Sequence, residues 1–222
     1  MKIISQDGAA ATLIFVPDEV KPFKGYHLPE LLLAIGKRIE AAKIPSLEDA
    51  RSSAARFENG VFVDGARRIN LGALTLHNDA IIATTTDTDE SDFVVDSLFA
   101  WLKNDFGFRD PSTPAVRVYQ SDLVIQFDND PDHTFGLIAP FINFIQQEMT
   151  PPNMPSKKAV QFAHIAFGAD PIGVGATPEF TISRRVNLPW RLGLYFSKAH
   201  MRTSAHIKAL EMLDGLLGEA RS

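Results

Sequence analysis

The chain has 222 residues, 45% of them hydrophobic and 22% charged, with a formal net charge of −5 and no cysteine. This is a globular composition, and a chain of this length buries roughly 70–75% of its unfolded surface without staples. It excludes disulfides, thiolate metal sites, iron–sulfur clusters and a cysteine nucleophile.

The acidic balance, with no run of Lys or Arg, argues against nucleic acid as a partner. The longest apolar run, 135–145, contains Pro140 and Asn143 and falls short of the ~20 residues that a membrane span needs. The apolar run 9–16 follows Asp7 and precedes Pro17, an order that suits a strand better than a leader peptide. The expected location is therefore the cytoplasm.

In chain order, "ATLIFV" (11–16) is β-branched and aromatic and reads as a buried strand. "LPELLLAIGKRIEAA" (28–42) places Leu31, Leu32, Ile35 and Ile39 at helical spacing, with Pro29 suited to a first turn. Ser46 and Asp49 form a capping-box-like start to a short helix reaching about Arg56. "GVFVDG" (60–65) reads as a strand. Residues 69–86 read as two strands joined at Asn78-Asp79. Residues 91–107 read as a helix with Val94, Val95, Leu98, Phe99 and Leu102 on one stripe.

Further on, 116–128 reads as a hairpin turning at Ser121-Asp122, and 135–149 as a helix disturbed by Pro140. Residues 150–158, "TPPNMPSKK", are the clearest loop. Strands follow at 159–167 and on either side of a turn at 186–189. The last helix is 204–220, with Ile207, Leu210, Leu213 and Leu217 facing inward.

An offset of 43 residues brings Asp79 onto Asp122, Ile82 onto Ile125, Asp87 onto Asp130 and Asp89 onto Asp132. A further 69 brings Phe127 onto Phe196 and Thr134 onto Thr203. The pattern predicts one hairpin–helix (ββα) unit used three times, with Ser91, Thr134 and Thr203 as helix N-caps. The expected fold class is α+β: a largely antiparallel sheet with helices packed on one face. The chain reads as a single domain over 1–222. Lobes at 1–149 and 159–222, joined by the loop 150–158, are the alternative.

The stretch "FDNDPDHT" (127–134) raises a metal site, with Asp128, Asp130, Asp132 and His133 as candidate ligands. A calcium loop would need glycine at its sixth position and a bidentate glutamate at its twelfth; His133 and Ala139 stand there instead. Carboxylates before a helix N-terminus are explained by the helix dipole and by turn geometry. No metal and no cofactor is therefore predicted. "GADPIGVG" (168–175) resembles half a phosphate loop, but Val174 replaces the lysine and a strand follows. It reads as a connection that a ligand site could use as a lid.

The best binding candidate is "RRVNLPWR" (184–191). Arg184, Arg185 and Arg191, with Trp190, offer guanidinium groups beside an indole, a combination suited to a carboxylate or phosphate. His200 lies nearby in sequence, between Lys198 and Arg202, where the third unit is basic and the first two are acidic. That contrast suggests heterologous self-association, basic junction to acidic junction. The function expected is that of a non-enzymatic binding or assembly protein, homo-oligomeric. The alternative is an enzyme acting on a small anionic substrate held by the arginine-rich hairpin.

Overall fold

A computed structural model describes residues 1–52, 54–129, 131, 140–141, 144–145, 163–168, 179–185 and 188–219. The fold is α+β, with a large antiparallel sheet and few helices. The chain divides into two units. The first holds Gln6–Asp122 and His200–Thr203; the second holds Met1–Ser5, Leu123–Ala199 and Ser204–Ser222. Among the described residues no helix is long and apolar enough to cross a membrane.

The strands and helices of the chain's first half are β1 (Lys2–Ile14), α1 (Pro17–Val20), α2 (Leu28–Arg38), α3 (Leu47–Ser52), β2 (Ala55–Asp64), β3 (Arg67–Leu76), β4 (Ala80–Thr85), α4 (Thr88–Phe106) and β5 (Val116–Gln126). Within the first unit the strand order is β2-β3-β4-β1, each pair antiparallel. Its core joins Leu31, Leu32 and Ile35 of α2 to Phe57, Phe62, Ile69 and Leu74 of the strands and to Val94, Val95, Leu98 and Leu102 of α4. Truncating a fully buried leucine such as Leu98 to alanine costs about 2–5 kcal/mol.

Local chemistry explains the boundaries. Gly65 sits at φ 58° in the β2–β3 turn, a backbone region that side chains disfavour. Asp87 caps α4 by accepting a bond of 2.7 Å from the Asp89 N–H, and Gly107 closes the helix at φ 69°. Gly60 is required by a close approach: the Val61 N–H donates to the Ile39 carbonyl at 2.6 Å, and a Cβ on Gly60 would lie 2.6 Å from that same oxygen. At the end of α2, the Arg38 guanidinium lies 5.4 Å from the Phe62 ring centre and 5.3 Å from that of Trp101.

The second half contributes β6 (His164–Gly168), β7 (Glu179–Arg184), a 3₁₀ turn at Trp190–Leu192, β8 (Leu194–Ala199) and α5 (Thr203–Glu219). In the second unit β6, β7 and β8 pair antiparallel in that order. Leu123, Ile125, Phe127, Ile182, Tyr195, Leu210 and Leu217 form its core.

Two expectations are corrected. Residues 116–126 form one strand, not a hairpin. Ser121 is fully buried in mid-strand, on the same face as Leu123 and Ile125. The buried Ser121, Leu123 and Ile125 carry the strand through Ser121-Asp122, a dipeptide without the glycine or asparagine that favours a turn. The middle hairpin of the threefold repeat is therefore not formed, although strand–strand–helix order does occur at β3-β4-α4 and β7-β8-α5.

Ser91 is also not a cap. It lies one turn inside α4, buried, with its hydroxyl 2.8 Å from that of Thr85 and bonded to the Ala9 carbonyl at 3.3 Å. The acidic residue upstream took the capping position. Thr203 is the first residue of α5. Thr134, most of the helix expected at 135–149, the loop 150–158 and the possible lid at 168–178, apart from Gly168 at the end of β6, lie outside the described residues.

Candidate functional site

The first unit contains a cleft of about 420 Å³, within the range of small-molecule sites. Six stretches of chain build it. Phe15 ends β1. Lys21 and Tyr26 come from the segment between α1 and α2, and Leu28, Leu31 and Leu32 from α2. Ala50 and Arg51 lie on α3, with Ala55 opening β2. Leu76, His77, Asn78 and Ile81 surround the β3–β4 turn, while Leu102 and Phe108 come from the end of α4 and beyond it. The Tyr26 and Phe108 rings meet at 5.5 Å.

The walls are held from behind by main-chain bonds. Arg109 grips the α1 segment: its N–H donates to the Val20 carbonyl at 2.8 Å, its Nε to that of Lys21 at 2.8 Å, and its Nη2 to that of Asp18. Glu19 points away from the cleft and accepts from the Thr113 N–H at 2.8 Å and hydroxyl at 2.9 Å. Those bonds to Thr113, with Ser112, hold its carboxyl below the usual range. On the opposite wall, the β3–β4 turn is fixed by the Phe15 N–H to the Asp79 carbonyl at 2.9 Å and the His77 N–H to that of Ala80 at 2.8 Å. Lys21 Nζ donates to the side-chain oxygen of Asn78.

A second polar cluster in the first unit surrounds Asp92. Arg202 donates to Asp92 at 2.8 Å and to Asp89 at 2.7 Å, and Tyr119 donates its hydroxyl to Asp92 at 3.1 Å. Arg117 bridges Asp92 and Asp96. Burial pushes the Asp92 carboxyl up, but Arg202, Arg117 and Tyr119 outweigh it and hold the carboxyl below its ordinary value. Burial and the Asp92 charge push the Tyr119 hydroxyl up.

The residues singled out in the sequence are distributed as follows. Arg184 is 7% exposed at the end of β7, its guanidinium 5.1 Å from the Tyr195 ring centre. The half-buried Arg185 donates its N–H to the Leu194 carbonyl at 3.0 Å. Trp190 opens the 3₁₀ turn and Arg191 is exposed within it. All four belong to the second unit, whereas His200 belongs to the first.

Asp128 carries an exposed side chain next to the N-terminal amine, and its N–H, like that of Asn129, donates to Asp214 at 3.1 Å. Asp130, Asp132 and His133 lie outside the described residues. Among the described residues no three metal-ligating side chains are grouped to hold an ion.

Sequence reasoning missed the cleft. No periodicity links Phe15, Lys21, Arg51, His77 and Phe108. Nor does the charge pattern of the junctions single out Asp92 and Arg117, although Arg202 belongs to the basic junction of the third unit.

No protein-family model and no curated protein sequence matches the chain. A solved structure, Methanococcus jannaschii TBP, is similar over 98% of this chain and 99% of that one, with a TM-score of 0.47 and 10% sequence identity. So loose a superposition at so low an identity carries no function to this chain.

Proposed function

We propose that this is a binding protein that holds a small, largely apolar ligand in the cleft of its first unit. One observation carries this reading: a cleft of about 420 Å³ whose walls are leucine, isoleucine, alanine and aromatic side chains, with polar groups at a few positions only. Such a lining favours binding through apolar burial, with orientation set by few polar contacts. The test is a fluorescence titration with N-phenyl-1-naphthylamine, an uncharged apolar probe. Saturable one-to-one binding that Ala50→Trp weakens at least about tenfold supports the reading. Absence of saturable binding, or binding indifferent to Ala50→Trp, defeats it.

Self-association is the second element of the proposal. In the second unit Phe167 is 58% exposed on β6, and Met212 and Leu216 are 69% and 51% exposed on α5. Large apolar side chains on an outer face are consistent with contact between copies. Arg202 pairs with Asp89 and Asp92 of its own chain, so the apolar side chains carry this element of the proposal. Native mass spectrometry tests this: a multimer supports it and a monomer at micromolar concentration refutes it.

A further inference from the structure

We infer that the ligand of the cleft is an amphipathic organic anion, its charged head at Lys21 and Asn78 and its apolar body against Leu31, Leu32 and Ile81. This rests on the binding reading above and adds the sign of the charge.

The argument is the sorting of charge around the cleft. Its basic lining consists of Lys21, Arg51 and His77, and no carboxylate is among the lining residues. The same short segments do carry acids. Glu19 is turned to Thr113. Asp49 is turned to Ser46, whose hydroxyl donates to it at 2.7 Å. Asp18 and Asp79 are not in the lining. In a chain of net charge −5, a cleft that admits bases and turns the neighbouring acids aside sets a local positive potential, which low-dielectric walls focus.

Lys21 also makes an incomplete contact. Among the described residues the only hydrogen-bond partner of its ammonium is the neutral Asn78 amide oxygen; no carboxylate neutralises it. An ammonium holds three donors, so donors remain for an incoming anion. The Asn78 amide nitrogen sits on the same side chain as the oxygen that Lys21 uses, and it can donate to the same head group. The hydrocarbon walls then reward an apolar body and leave a bare inorganic anion unsupported.

The test compares two probes that share a body and differ in charge: 8-anilino-1-naphthalenesulfonate and the uncharged N-phenyl-1-naphthylamine, each titrated into the full chain. The readout is the ratio of their affinities. The expected ratio is about tenfold or more in favour of the sulfonate, as one charge-assisted contact provides. Lys21→Gln lowers it to about threefold or less, and Lys21→Arg retains it. Ala50→Trp weakens both probes.

A ratio near one, or one that Lys21→Gln leaves intact, overturns the anion inference while the binding reading stands. Failure of the uncharged probe to bind saturably, or binding of both that ignores Ala50→Trp, overturns the binding reading and this inference with it.

Discussion

Arg202 Nη2 lies 2.8 Å from Asp92 Oδ2, although 110 residues separate the two in sequence. Both belong to the first unit. The same guanidinium reaches Asp89 and stacks 4.2 Å from the Tyr119 ring centre. The basic junction therefore meets an acidic junction of its own chain.

Removing either partner should destabilise the fold, because the carboxylate is only 17% exposed and a partly buried charge without its partner is costly. Arg202→Gln and Asp92→Asn are each expected to cost about 1–3 kcal/mol. In a double-mutant cycle the two should be non-additive by about 0.5–3 kcal/mol. Urea unfolding of the four proteins measures this. Strict additivity would mean that the two groups do not interact in solution.

The same carboxylate makes stability depend on pH. The folded value of Asp92 is depressed by Arg202, Arg117 and Tyr119 against the opposing effect of burial. Its contribution is thus fully present above the ordinary carboxylate value of about 4 and is lost as pH falls through the folded value. Wild type and Asp92→Asn should differ most near neutrality and converge on acidification below about pH 4. Unfolding free energies between pH 7 and pH 2.5 follow the two curves. A constant gap across that range would contradict the assignment.

Glycine at position 60 is a steric requirement. An added Cβ would sit 2.6 Å from the Ile39 carbonyl oxygen, a backbone atom that cannot rotate away, whereas nothing lies within 4 Å of a Cβ on Gly8. Gly60→Ala is expected to cost about 1–3 kcal/mol. Gly8→Ala, also in a strand, should be neutral or slightly stabilising. Thermal denaturation of the two variants side by side settles the contrast.

Arg109 should govern the cleft without touching a ligand. Arg109→Leu removes the bonds to the Lys21 and Asp18 carbonyls and keeps the one from its own N–H. Trypsin cleavage at the Lys24-Gly25 bond should become faster, and probe affinity should fall by about three- to tenfold, the equivalent of roughly one lost hydrogen bond. Unchanged cleavage would show that the segment is held by other contacts.

Local patterns were legible in the sequence, and distant meetings were not. Leu31, Leu32, Ile35 and Ile39 declared α2 by their spacing, and all four are buried. Val94, Val95, Leu98 and Leu102 did the same for α4. The β3–β4 turn at Asn78-Asp79 followed from two turn-forming side chains in succession. Ser121-Asp122 is a polar pair that suggests a turn, whereas the Ser121 hydroxyl is small enough to be buried in a strand. The cleft left no trace because each of its segments contributes only one to four residues. The partner of Arg202 was hidden because charge alone does not say whether a complement is found within the chain or outside it.

The exchange between Thr88 and Thr203 bears on the order of synthesis. Each backbone N–H donates to the hydroxyl of the other residue, at 3.2 and 2.9 Å, in a buried setting. On the ribosome, residues 6–122 emerge first, but Arg202 and Thr203 follow about 80 residues later, a delay of roughly 4–16 s at ordinary elongation rates. During that interval the nascent first unit holds Asp92 with Arg117 and Tyr119 alone, and the Thr88 N–H has not met its partner. The first unit is thus completed only after most of the second has been made.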